Sequence, residues 1–237
     1  IDTGIMDGPE IRYWLPGADR FRSATQWPPT ETALDDYFLS ADGQLAKDGQ
    51  SAGSCSYRYL PASLTLPKGA PVSPLPTFLS WQSEPLKEDL DVVGDAELEL
   101  DASITATDTA WLVTLQDVAT DGSAIDVTAG WLRAALREVD EEASEPGAPN
   151  LRADNPLAVV PGAKTRYRIP LVSTARRFAQ GHRLRVVVAS DDVSAGTPAI
   201  MGFHHQSPVM QSTNTVWATS VLRLPILHTD PEGSRDT

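Results

Sequence analysis

Three groupings of residues have the types and spacing to do chemistry. Gly49-Gln50-Ser51-Ala52-Gly53 reads G-x-S-x-G. This is the pattern of a nucleophile elbow, in which a sharp turn from strand to helix lifts a serine hydroxyl clear of the backbone to attack an acyl carbon. Residues 41–48 before it do not read as a buried strand, and Ser54 to Tyr59 after it is no amphipathic helix. A loop of small residues is therefore the stronger expectation, since a short motif outside its structural setting carries little weight. His204 and His205, with His182, Asp191 and Asp192 near in sequence, supply donors of the kind that bind zinc. Adjacent side chains of an extended chain point to opposite sides, which makes one shared ion awkward for the pair. Asp117, Asp121 and Asp126 surround Gly122. Carboxylates on such a loop can hold calcium, although the spacing is not that of an EF-hand. The alternative is a β-turn in which Asp121-Gly122 supplies the tight geometry. No nucleophile stands with a base and an orienting acid, so no catalytic, cofactor-binding or metal-ligating residue is assigned.

The tryptophans Trp14, Trp27, Trp81, Trp111, Trp131 and Trp217 could include a platform for stacking sugars. Trp111 and Trp131 lie in apolar stripes and are expected in the core. Trp27, beside Pro28 and Pro29, is the one expected to be exposed, and a carbohydrate-binding module is the alternative function it would serve. Arg176, Arg177, Arg183 and Arg185 are expected to pair with surplus acids, each contributing little if exposed.

The elements that would position these residues are strands. Ala96, Leu98, Leu100, Ala102 and Ile104 alternate with Glu97, Glu99, Asp101 and Ser103, which predicts one buried and one wet sheet face. Acids on the wet face would keep the sheet soluble and discourage edge pairing. Trp111, Val113 and Leu115, with Leu112 between, predict a strand buried on both sides. Thr105 to Thr109 links the two at hairpin length. Further strands are expected at 9–14 (Ile11 and Tyr13 on one face), 21–24, 32–39, 77–81, 90–93, 164–171, 183–189, 215–217 and 220–225. Residues 131–139 read as strand and then a helical turn, and Ala175 to Gln180 as one helical turn. Residues 47–56, 141–155 and 190–214 read as loops. Pro61 to Pro76 reads as an irregular extended connection, and the last ten residues as frayed. Short strands with Gly, Pro and Asp turns give an all-β sandwich.

The chain has 237 residues, 41% of them hydrophobic, and a net charge of -13. That balance argues against nucleic acid and anionic membrane surfaces as partners, both of which need a basic footprint. No apolar run approaches the ~18 residues of a membrane span. Cys55 is the only cysteine, so neither an intrachain disulfide nor a cysteine zinc cluster can form. The start at Ile1 without a leader suggests a fragment, with a cytoplasmic setting favoured.

Several stretches then fall in a telling order: 81–86 (Trp-Gln-Ser-Glu-Pro-Leu), Gly94 to Leu98, Trp111 to Val118 with Asp121-Gly122, Gly130-Trp-Leu-Arg133, Pro170 to Phe178, and Gly181 to Arg185. Together they resemble the C-terminal domain of the X-Pro dipeptidyl-peptidase, cocaine esterase and α-amino-acid ester hydrolase group, the CocE/NonD-type hydrolases. The resemblance covers nearly the whole chain. It implies a jelly-roll β-sandwich of the galactose-binding-like type, forming one non-catalytic domain over 1–237. Within it, 1–80 would hold the N-terminal strands and Pro-rich connection, 81–226 the sandwich core and 227–237 a tail. In that group the catalytic Ser, Asp and His lie in a preceding α/β-hydrolase domain, so no catalytic residue carries over. The implied parent is a serine hydrolase acting on peptide, ester or amide acyl groups, without a cofactor. The sandwich would pack on the hydrolase domain of the same polypeptide, wall the active-site mouth and offer a contact for a homodimer. Relatives often carry a Gly-Gly pair in the Pro-rich stretch, here Leu66 to Phe78, and this chain does not.

Overall fold

Runs of period two, punctuated by proline, glycine and aspartate, become strands throughout the computed structural model, which describes residues 8–49, 52–61, 68, 73–192 and 210–228. The chain opens with β1 (Ile11–Leu15), β2 (Arg20–Ala24), β3 (Thr32–Leu39), β4 (Leu45–Ala46) and β5 (Ser54–Tyr59). After the Pro-rich stretch come β6 (Leu79–Gln82), β7 (Leu90–Gly94), β8 (Glu97–Ile104), β9 (Ala110–Val118) and β10 (Ala124–Arg133). One 3-10 turn at Ala134–Leu136 precedes β11 (Val139–Glu145), β12 (Ala148–Leu151), β13 (Thr165–Pro170) and β14 (Thr174–Phe178). β15 (Arg183–Ala189), β16 (Ser212–Trp217) and β17 (Val221–Leu227) complete the order.

Two sheets carry the core. The larger runs β14-β7-β17-β8-β16-β5, with β13 added on β8 and β3, then β4, added on β17. The smaller runs β10-β9-β15-β6. Leu98, Leu100 and Ile104 of β8, Tyr167 and Ile169 of β13 and Leu222 and Leu224 of β17 face Trp111, Val113 and Leu115 of β9 and Val186 and Val188 of β15 in one buried cluster. The rings of Trp111 and Tyr167 meet at 5.3 Å. The chain is thus an all-β sandwich, with inner faces interdigitating as two packed sheets must.

Several expectations needed correction. β8 and β9 lie in different sheets, so Thr105 to Thr109 is a crossover between layers and not a hairpin turn. The acid face of β8 is not wet. Glu97 and Asp101 are buried, because β13 on one edge of β8 and β17 on the other lay arginines across it. Ala175 to Gln180 forms no helical turn: β14 pairs with β7, and its two arginines alternate between the sheet faces. The acidic stretch expected as a loop holds β11 and β12, an antiparallel ribbon whose first strand is mostly exposed and carries no apolar period. β5 begins at Ser54 and β16 at Ser212, inside stretches expected as loops. The remainder of 190–214 beyond Asp192 and before Met210, most of the Pro-rich connection, and 229–237 lie outside the described residues.

Candidate functional site

Ser51 of the G-x-S-x-G stretch lies outside the described residues. The flanks do not make an elbow: two-residue β4 precedes it and β5, a strand, follows, where a nucleophile elbow needs a helix. His204 and His205 also lie outside the described residues. Asp117, Asp121 and Asp126 are not brought together on one cation. Asp121 Oδ1 accepts from Ser123 N at 2.9 Å and Ser123 Oγ at 2.7 Å, with Gly122 at φ +86°; this is the tight turn of the β9–β10 hairpin. Asp126 accepts from Gln116 Nε2 at 2.8 Å. Asp117 turns inward.

The tryptophans also sort differently from expectation. Trp111 is fully buried, but Trp131 is half-buried, because β10 is the outermost strand of the smaller sheet. Trp27 is not the exposed ring. It packs beside Leu15, Val93 and Leu227, meets Tyr13 edge-on at 5.4 Å and donates Nε1 to Ser173 Oγ at 2.7 Å. The exposed ring is Trp14, at 44%. Trp27 also helps line an open groove of about 690 Å3 with Pro28, Pro29, Leu34, Pro225, Asp95 and Glu145.

Charge is where the strands do their positioning. Glu97 takes Arg168 Nη2 at 2.9 Å and Arg223 Nη1 at 2.9 Å; Arg223 also reaches Glu99 at 2.8 Å. Asp101 takes Arg166 Nε at 2.9 Å, the Thr219 hydroxyl and Lys164 at 3.3 Å. On the neighbouring strands Arg177 clasps Asp91 at 2.6 and 2.8 Å. Arg176, one residue earlier, points the other way and bridges to the opposite sheet, where Asp117 accepts its Nη2 at 2.8 Å and meets His182 Nδ1 at 2.7 Å. Arg183 donates to the Ser83 carbonyl at 2.7 Å and lies 3.9 Å from Glu84. Arg185 was expected to pair with an acid, but donates to Gln82 Oε1 at 3.2 Å.

The Asp101 carboxyl illustrates what this layer does. Burial alone would raise its pKa, but the hydrogen bonds from Arg166 and Thr219 and the charges of Arg166 and Lys164 outweigh burial and hold it at about 2. A depressed folded pKa gives stability that is present above the unfolded value and lost as pH falls through the folded one. Asp101 therefore contributes on the order of 1–2 kcal/mol at neutral pH, lost between about pH 4 and pH 2. Asp101→Asn should lower the melting temperature at pH 7 and narrow its gap to the parent near pH 2. A gap unchanged across that range in pH-resolved melting curves would contradict this.

Sequence reasoning missed a buried hydroxyl cluster at one end of the sandwich. Ser190 Oγ lies 2.7 Å from Tyr57 Oη, 2.9 Å from Asn214 Nδ2 and 3.2 Å from Thr109 Oγ1. Burial pushes the Tyr57 hydroxyl pKa far up, so it stays protonated. The available signal was Asn214 inside an alternating strand. Its four groups hydrogen-bond one another, and its chemistry is that of a buried polar network.

The profile of a family described as the X-Pro dipeptidyl-peptidase C-terminal non-catalytic domain matches residues 3–199. The chain belongs to this family. A Mycobacterium bovis protein named as a serine esterase is 29% identical, over 81% of this chain and 34% of its own. The cocaine esterase of a Rhodococcus species is 26% identical, over 81% of this chain and 36% of its own. A crystal structure of a Staphylococcus aureus CocE/NonD family hydrolase superposes with a TM-score of 0.76 at 18% identity, covering 96% of this chain and 43% of that one; at that identity it shows the fold alone. The chain thus spans about a third of the length of these curated relatives.

Proposed function

We propose that this chain is the non-catalytic jelly-roll domain, galactose-binding-like in type, of a serine hydrolase of the X-Pro dipeptidyl-peptidase and acyl-esterase kind. It packs on the α/β-hydrolase domain of the same polypeptide and helps shape the mouth of the active site. The family match over residues 3–199 carries this reading. The side chains are consistent with it: the buried Ser190 is bonded to Tyr57, Asn214 and Thr109, and His182 meets Asp117, which also accepts from Arg176. Sandwiches of this shape host many functions, so the assignment rests on the family and not on the fold.

The test compares the chain alone with the full polypeptide. The chain alone is expected to unfold in one cooperative transition and to turn over neither p-nitrophenyl esters nor X-Pro anilides, while the full polypeptide hydrolyses one of these classes. Turnover by the chain alone that disappears in Ser51→Ala would overturn the reading.

A further inference from the structure

The N-terminal hairpin shows two different faces. Tyr13 and Leu15 turn inward with Trp27 onto Val93 and Leu227. Trp14 and its cross-strand partner Phe21 turn outward, 44% and 51% exposed, with their rings 5.0 Å apart at 68°. The Arg12 guanidinium lies 4.4 Å from the centre of the Phe21 ring. An isolated two-stranded hairpin is marginal in water, yet this one is fixed. Arg177 N donates to Pro16 O at 2.8 Å, and Gly17 backs onto the Arg177 carbonyl so closely that a Cβ there would stand 2.3 Å from its oxygen. Arg22 reaches Asp91 at 3.9 Å. A large aromatic pair held rigidly in water costs solubility, and adjacent exposed apolar rings on a surface mark an interaction site.

The chemistry of the patch selects the kind of partner. Rings crossing at 68° do not form the coplanar shelf a sugar stacks on, and one face of Phe21 is occupied by Arg12. Tryptophan, phenylalanine and arginine together are the residues enriched at the buried centres of protein interfaces. Position selects the partner itself. The family's domain is C-terminal, so the hydrolase part joins on the N-terminal side. Ile11 opens the first strand. The hairpin is therefore the first described element that the polypeptide arriving from the N-terminal side meets.

We infer that the outer face of the β1–β2 hairpin, Trp14 and Phe21 with Arg12, is the surface on which the hydrolase part of the same polypeptide seats, with an apolar recess rimmed by carboxylates facing it. This rests on the packing proposed above and names the surface that does it. Hydroxyl-radical footprinting of the full polypeptide tests it, read residue by residue by mass spectrometry. Labelling is normalised to the urea-unfolded chain and run at two protein concentrations. Val160 and Val172, 63% and 60% exposed, serve as references. The expected result is labelling of Trp14 and Phe21 slower than these references by at least about fivefold, as for a close-packed interface centre, at both concentrations. Free labelling of both rings while another surface of the chain is protected would overturn this inference and leave the packing intact. Free labelling of every exposed residue would overturn both. Protection lost on dilution would assign the patch to a second copy and overturn the inference.

Discussion

Glu97→Gln is expected to lower the unfolding free energy by about 2–4 kcal/mol, because removing one partner of a buried ion pair leaves the others uncompensated. Glu97 is completely buried. Arg168 donates Nε and Nη2 to its Oε2 at 3.2 and 2.9 Å, and Arg223 donates Nη1 to Oε1 at 2.9 Å. A glutamine keeps the shape but can accept on one side only. Its amide N–H would meet a guanidinium donor on the other. Both arginines have second acids, Glu141 at 2.7 Å for Arg168 and Glu99 at 2.8 Å for Arg223, and both keep some contact with water. Those alternatives hold the loss at or below the range for a wholly buried pair. Glu99→Gln, at a partly exposed position on the same face, should cost under ~1 kcal/mol. Urea unfolding at pH 7 reads both, with an unchanged slope marking a true stability change. Equal losses in the two variants would show that burial of Glu97 does not set the strength of the layer.

The same residue shows how far the sequence could be read. Alternation from Ala96 to Ile104 placed the apolar stripe correctly on the inner face. It could say only that the two faces differ, not that the second was wet. The partners that bury Glu97 and Asp101 are Arg166, Arg168 and Arg223, at separations of 65 to 126 residues, beyond any local pattern. For the same reason Thr105 to Thr109 read as a hairpin: its length suits one, and only long-range pairing reveals that the strands it joins belong to opposite sheets. β11 was invisible because a mostly exposed strand has no apolar period, and β12 because four residues are too few to show one. Arg176 and Arg177 read as ion-pair partners on one helical turn, yet a strand sends adjacent side chains to opposite faces, one to Asp91 in its own sheet and one to Asp117 across the sandwich. The candidate surface was legible in part. Placing Ile11 and Tyr13 on one face puts Trp14 on the other, yet Trp27 was the ring expected to be exposed. What tied Trp27 down was Ser173, 146 residues away.

The stretch Gly130-Trp-Leu-Arg133, part of what made the sequence recognisable, contains a position with no room for an added methyl group. β10 belongs to the smaller sheet and β13 to the larger, and the end of β13 passes directly over Gly130. Val172 N donates to Ala129 O at 2.9 Å, and the Thr128 hydroxyl donates to Val172 O, so the two segments are stitched together just before the glycine. A Cβ on Gly130 would stand 2.2 Å from the Pro170 oxygen and 3.0 Å from its carbonyl carbon. Gly130 is not among the residues with positive φ, so its backbone would accept a side chain. The obstacle is the neighbouring main chain, which cannot swing aside as a flexible side chain would. Gly130→Ala is therefore expected to destabilise the chain by about 3 kcal/mol, at the upper end of overpacking costs. That is net of the several tenths that alanine gains by restricting the unfolded chain. Gly162→Ala separates the two causes. Its φ is +79° with open space around the would-be Cβ, so it should show only the left-handed backbone cost of about 1–2 kcal/mol. Denaturant unfolding of the pair decides the matter: an alanine at 130 that is neutral or stabilising would mean that the seam between the sheets yields, and that close backbone approach is not what this glycine is for.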